Sequence, residues 1–288
     1  MSADIISVLD KQVVVCEGSM GTMLASHSVS VRNDAEAAIT HPETVLHIHR
    51  RFAEAGADLL LSHTRGANAS VLRAAGLMAE ASAIWSEAMR LCRNAAGRDG
   101  FVGLTLGPCG QQVGPGGDVS PQEARVDFRQ QLETMLGQGA DLVVADGFDS
   151  MIELQAATEA IRQLDTSIPV AVGLRFCPLT GRTRDGIDAA GCARRLSQMD
   201  VQVAGVSGGE PGAQETALRA LAQCTVAHRL AYPDLGVAQG ATLPTQEAEH
   251  VGECAARLIC DGARIVGFGG GCTPEHVRQV VRAARAMA

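Results

Sequence analysis

Lysine is almost missing from this 288-residue chain: Lys11 is the only one among 24 basic residues, and the formal net charge is -8. Binding to nucleic acid rests on clustered Lys and Arg that neutralise phosphates. No basic run exists, so a nucleic-acid partner is not expected. Long apolar runs are missing too; none approaches the roughly 20 residues that a membrane-spanning helix needs. The opening MSADIISVLDKQVVVCEGS lacks a basic segment followed by an apolar stretch and a small-residue cleavage site, so it does not read as a secretory signal. A soluble, cytoplasmic protein without a membrane partner is the expectation. Nine cysteines stand at 16, 92, 109, 177, 192, 224, 254, 260 and 272, with no C-x-x-C pair among them. That scatter excludes the dense disulfide framework of small secreted domains and suggests thiols acting as small buried hydrophobes. No Pro/Gly/Ser-rich linker divides the chain, which predicts one domain over residues 1–288.

What is present is a globular composition, 46% hydrophobic and 19% charged. Short Val, Ile and Leu runs alternate with longer amphipathic stretches, the pattern of repeated βα units and a helix-covered parallel sheet. Eight strands are predicted, at 13–16, 58–62, 101–105, 141–145, 169–174, 201–206, 227–232 and 263–267. Their number and spacing predict an α/β fold, a single (β/α)8 TIM barrel, a size at which one domain is normal. Gly56, Gly139 and Gly262 precede strands at positions suited to left-handed helix caps. Ser120-Pro121 and Thr273-Pro274 look like helix starts, with proline where its missing N–H costs nothing. The stretch 67–96 reads as two helices.

In such barrels the active site forms at the C-terminal ends of the strands. Here those ends run into CEGSMGT, SHTRGAN, LGPCGQQVGPGG, ADGFDS, RFCPLTGRTRDG, SGGEPG, YPDLG and GFGGGCTPEH. Each loop alone is explained by tight turns and helix capping. Eight polar or glycine-rich loops gathered at one mouth point to a ligand pocket. No glycine pattern matches a P-loop or dinucleotide fingerprint.

These segments carry a family resemblance over nearly the whole chain. CEGSMGTML resembles D-G-x-M-G-T, and HPETVLHIHRRFAEAGADLLLSHTRGAN resembles P-E-x-V-x-x-I-H followed by A-G-A-D and T-N-T-F-G-A-N. LTLGPCG, ADLVVADGFDSMIELQAA, AYPDLG and RIVGFGGGCTPEHV follow in matching order. Together they resemble the homocysteine S-methyltransferase family. The resemblance implies a TIM barrel in which a zinc ion on three cysteines binds homocysteine as a thiolate, activating sulfur towards a methyl donor.

The three cysteine positions implied by that resemblance are Gly208, Gly269 and Gly270. Glycine has no side chain to ligate metal, so no bound metal is expected. Cys272 and Cys109 offer a displaced thiol pair, with His63 as a third ligand, but no spacing supports such a site. The strand-1 aspartate of the family becomes Glu17 and its strand-4 glutamate becomes Asp146, so a carboxylate persists at each place. Strand 2 gains His63 and Arg65 at positions uncharged in the family.

Glu17, His63 and Asp146 are therefore the candidate acid–base residues. Arg65, Asn68, Cys109, Arg175, Ser207 and Asp234 are the candidate substrate contacts, with Arg65 suited to a carboxylate or phosphate. Glu275 and His276, in the first turn of the last helix, read as structural. A methyltransferase working on a small polar substrate without zinc is one reading, with a folate- or corrinoid-borne methyl group and, as partner, a corrinoid protein or another methyltransferase. A non-catalytic binding or accessory subunit is the alternative, and a repurposed lyase or hydrolase mouth is a third.

Overall fold

The computed structural model describes residues 4–223, 226–236 and 246–287. Eight strands run parallel: β1 Val14–Val15, β2 Leu59–Leu61, β3 Phe101–Leu106, β4 Leu142–Phe148, β5 Val170–Leu174, β6 Val203–Ser207, β7 Arg229–Tyr232 and β8 Ala263–Val266. They pair in sequence order from β2 to β8, and β8 pairs with β1. A parallel bridge between Cys16 and Leu59 brings β1 and β2 together. There Glu17 N–H donates to the Leu59 carbonyl at 2.9 Å and Asp58 N–H to that of Val15 at 2.8 Å. The structure is an α/β TIM barrel, with helices between successive strands.

The apolar runs that predict the strands are continuous because both faces of the sheet are buried. Val14, Cys16, Leu59, Leu61, Val144 and Ile265 belong to a cluster inside the barrel. Their neighbours Val15, Leu60, Val102, Val143 and Val266 belong instead to the cluster under the helices. An N-terminal helix, Ile5–Leu9, went unread in the sequence because five residues are too few to show helical periodicity. Its Ile5 and Leu9 join the interior cluster, so this short helix packs into the barrel's own core.

The predicted helix signals are present in the structure. Gly56, Gly139 and Gly262 have φ of 99°, 85° and 91°. Ser120 and Thr273 each begin a capping box, the second completed by His276, whose Nδ1 meets the Thr273 N–H at 3.0 Å. The 67–96 stretch is two α-helices, Ala69–Ala74 and Ala81–Ala96.

One boundary differs in a way that matters. The sequence places the end of β4 at Ala145, yet the strand continues through Phe148 and carries Asp146 within it. The continuation passes through an irregularity between Asp146 and Phe148, where Gly147 takes a φ of 78°. Gly147 N–H donates to Ser207 Oγ at 2.7 Å, which ties the end of β4 to β6.

Leu9 is fully buried within the interior cluster. Leu9→Ala is expected to lower unfolding free energy by about 3 kcal/mol through lost burial and a residual cavity. Chemical denaturation followed by circular dichroism checks this, and an unchanged midpoint would show that the short helix is dispensable.

Candidate active site at the barrel mouth

The ends of β1, β2, β4, β6, β7 and β8 enclose a cavity of about 310 Å3. Its charged lining consists of Glu17, Asp34, Asp146 and Asp234 against Arg65, with His63 alongside. Four carboxylates thus face one guanidinium. Tyr232 also lines it, its hydroxyl donating to the carbonyls of Glu17 at 3.1 Å and Gly18 at 3.2 Å.

Glu17 is held at both oxygens. Oε1 accepts the Leu61 N–H at 2.7 Å, and Oε2 lies 2.9 Å from Nδ1 of the fully buried His49. Asp146 is buried beside Arg65, whose Nε lies 3.3 Å from Oδ2. Burial raises the Asp146 pKa; Arg65 and Ser207 pull it down, and Asp234 pushes it up. Gly147 gives Arg65 its room, because a Cβ there would collide with the guanidinium.

His63 sits at φ 59°, a conformation uncommon outside glycine. Its Nε2 is shut from solvent and has no hydrogen-bond partner. Desolvation lowers its pKa to about 4, against an upward pull from Asp34 and with a further downward push from His49. The ring is therefore neutral at pH 7, with one nitrogen a donor and the other an acceptor.

Asp234 occupies the place where the three glycines meet. Its Oδ1 accepts the Gly270 N–H at 2.7 Å and its Oδ2 the Gly209 N–H at 3.0 Å. A Cβ built on Gly269 would collide with Oδ1, one on Gly270 would lie 3.4 Å from Oδ1, and one on Gly208 would lie 3.6 Å from Oδ2. Gly208 also has a φ of 68°, where an L side chain carries a penalty of roughly 1–2 kcal/mol. A zinc site of three thiolates does not fit these residues: side chains are missing at all three positions, and a carboxylate lies between them. Among the described residues no three His, Cys, Asp or Glu side chains are grouped to hold a metal ion. Cys109, Cys272 and His63 form no such group.

The structure brings Glu17, His63, Arg65, Asp146 and Asp234 to one cavity. It does not bring the other expected contacts to its wall. Asn68 is fully buried and caps the Ala69–Ala74 helix, its Oδ1 accepting the Val71 N–H at 3.1 Å and its Nδ2 donating to the Pro108 carbonyl at 2.7 Å. Cys109 is buried behind the β3 loop, where its N–H donates to Glu153 Oε1 at 2.6 Å and burial pushes its thiol pKa up. Ser207 is buried beneath Asp146 and Gly147 and steadies them. Arg175 is exposed, its stem lying beside Gly208. Asp34 and His49 were missed. His49 stood in the quoted LHIH segment, but the sequence gives no sign that it reaches Glu17. Asp34 lies in a single 3-10 turn after a loop, without periodicity or motif.

Residues 14–284 match the profile of the homocysteine S-methyltransferase family. The chain belongs to the homocysteine S-methyltransferase family. It is 27% identical over 304 aligned positions to methionine synthase of Mycobacterium leprae, an alignment covering 97% of this chain and 25% of that protein. The chain therefore spans about a quarter of the length of such curated relatives. In structure it is similar to the metallated homocysteine methyltransferase MmuM of Escherichia coli, with a TM-score of 0.83 and 19% identity over 99% of this chain and 100% of the other. A methyltransferase from Methanosarcina mazei aligns with a TM-score of 0.57 and 13% identity over 99% and 98% of the two chains. These two structural likenesses carry the fold. Among the described residues no helix is long and apolar enough to cross a membrane.

The depressed His63 pKa makes a signed prediction for this family member. The unfolded chain binds a proton at an ordinary histidine near pH 6.5, whereas the folded chain resists it down to about pH 4. The stability that His63 contributes is present above about pH 6.5 and is lost as pH falls towards 4. Unfolding midpoints measured from pH 7.5 to 4.5 should therefore fall less steeply for His63→Asn than for the wild type. Parallel profiles would refute a neutral, desolvated His63.

Proposed function

We propose that this family member transfers a methyl group to a small polar acceptor held in the barrel mouth, and does so without a catalytic zinc. The observation that carries this reading is the Asp234 carboxylate lying between Gly208, Gly269 and Gly270, where the family's three thiolates would need space. Without a Lewis acid, rate enhancement rests on positioning and proton transfer. Asp146 and His63 are the titratable groups left to take part, since both residues line the cavity while Glu17 is held at both oxygens. Glu17, clamped by Leu61 and His49, shapes the wall and supplies a fixed negative charge. Arg65 offers the single guanidinium for an anionic group of the substrate or donor.

The methyl donor in this reading is carried by a folate or a corrinoid, the latter on a partner protein or methyltransferase. A second reading, a non-catalytic binding subunit, rests on the same loss of thiolates. Transfer of labelled methyl groups from a panel of donors to a panel of small acceptors distinguishes the two. Turnover is expected in protein washed with chelator and shown by elemental analysis to hold less than about one zinc per ten chains. Asp146→Asn should lower kcat/KM by roughly 100-fold, the scale of one acid–base group. Absence of turnover with every donor, at high enzyme concentration, would favour the binding subunit; one tightly held zinc per chain would overturn the zinc-free mechanism.

A further inference from the structure

Resting on the reading of this mouth as an acceptor site, we propose that Asp234 sets its binding specificity, so that this end of the cavity holds a ligand's ammonium group where a zinc-dependent relative takes a thiolate; methyl transfer to that nitrogen first requires the ammonium to give one N–H proton to solvent, which frees the lone pair that forms the new N–C bond. In the three-thiolate arrangement, the metal at the junction of the β6 and β8 loops is a cation that draws an anionic sulfur. Here the same junction carries a carboxylate fixed by two backbone N–H groups, at 2.7 Å from Gly270 and 3.0 Å from Gly209. The sign of the local charge is reversed. A thiolate brought to it meets repulsion, and a protonated amine meets attraction, because opposite charges favour and like charges oppose each other strongly in a partly desolvated site.

The rest of the cavity agrees in sign. Glu17, Asp34 and Asp146 add three further carboxylates, and among the described residues Arg65 beside Asp146 is the one full cation on the wall. His63 stays neutral and leaves that excess uncompensated. A cavity of about 310 Å3 is of a size for a small amino acid or diamine. Arg65 is placed to receive such a ligand's carboxylate while Asp234 receives its terminal ammonium. The chemical class is thus a short α-amino acid or related molecule ending in a primary amine.

The experiment compares two ligands that differ at one terminal group: homocysteine under reducing conditions and L-2,4-diaminobutyrate, in which an ammonium replaces the thiol. Isothermal titration of the wild-type chain at pH 7 should show the diamine bound at least tenfold more tightly. Asp234→Asn, checked for an intact fold by circular dichroism, should erase most of that difference. Should the variant fail to fold, the wild-type ratio still decides the matter. Equal or tighter binding of homocysteine, binding of neither ligand, or an unchanged preference in Asp234→Asn would overturn the proposal. Failure of the methyl-transfer reading looks different: the amine preference persists while no donor yields a methylated product. Methyl transfer to a thiol acceptor, with the amine ignored, preserves that reading and sinks this one.

Discussion

The pair of hydrogen bonds that Asp234 accepts from Gly209 and Gly270 joins the loops of β6, β7 and β8 at one point. Around it, Gly208 N–H donates to the Tyr232 carbonyl, Gly269 N–H to that of Pro233, and Leu235 N–H to that of Gly270. A carboxylate accepting backbone N–H groups makes charge-assisted bonds stronger than neutral ones. The β6 and β8 loops, which three thiolates on a metal ion would otherwise join, are here joined through main chain and one acid from the β7 loop. This explains how the mouth keeps a fixed shape after losing its ligands. At Gly269 the missing side chain leaves room for the carboxylate, since a Cβ there would collide with Oδ1.

That junction has an electrostatic consequence for the neighbouring groups. Asp146 feels Asp234 as a like charge and burial as a second upward push, opposed by Arg65 and Ser207. Arg65 itself lies over Gly147, with its Nε turned to Asp146 rather than to the other acids. Glu17 escapes the competition because Leu61 and His49 satisfy it from the barrel wall. His63 would be the natural counter-charge, but its buried ring resists protonation near neutral pH. Adding a proton there costs desolvation that the partial attraction of Asp34 does not offset. The negative excess of the mouth is therefore built in, and a ligand's own charge is what completes it.

Most of the scaffold was legible in the sequence because it is written locally. Strand runs, helix-starting Ser120 and Thr273, and the left-handed glycines 56, 139 and 262 each depend on residues within one turn of the chain. The mouth was legible in part: the loops were located, and five of the nine candidate residues line one cavity. What escaped depends on side-chain direction and on contacts distant in sequence. Asn68 and Cys109 sit in the right loops but turn inwards, to the Ala69–Ala74 helix and to Glu153 respectively. His49 meets Glu17 across 32 positions of sequence, and Asp34 reaches the cavity from a turn with no repeating pattern. The extension of β4 through Asp146 hinges on a bulge at Gly147 that strand periodicity cannot foresee.

The same distinction bears on how far the family carries over to this chain. Family membership follows from a match across residues 14–284, and the barrel follows from the structure. Chemistry does not follow from either, because function lives in the site rather than in the fold. A barrel mouth is a set of nearly independent loops on a rigid frame, so loops can change charge without disturbing the strands beneath. Here three positions that would bear thiolates have become backbone, and the position between them bears an anion. Selection for packing alone would not require that exchange, since Asn at position 234 would still offer one acceptor to the loops. A full carboxylate makes two charge-assisted bonds and leaves a net negative field over the cavity, which is the property a cationic ligand would read.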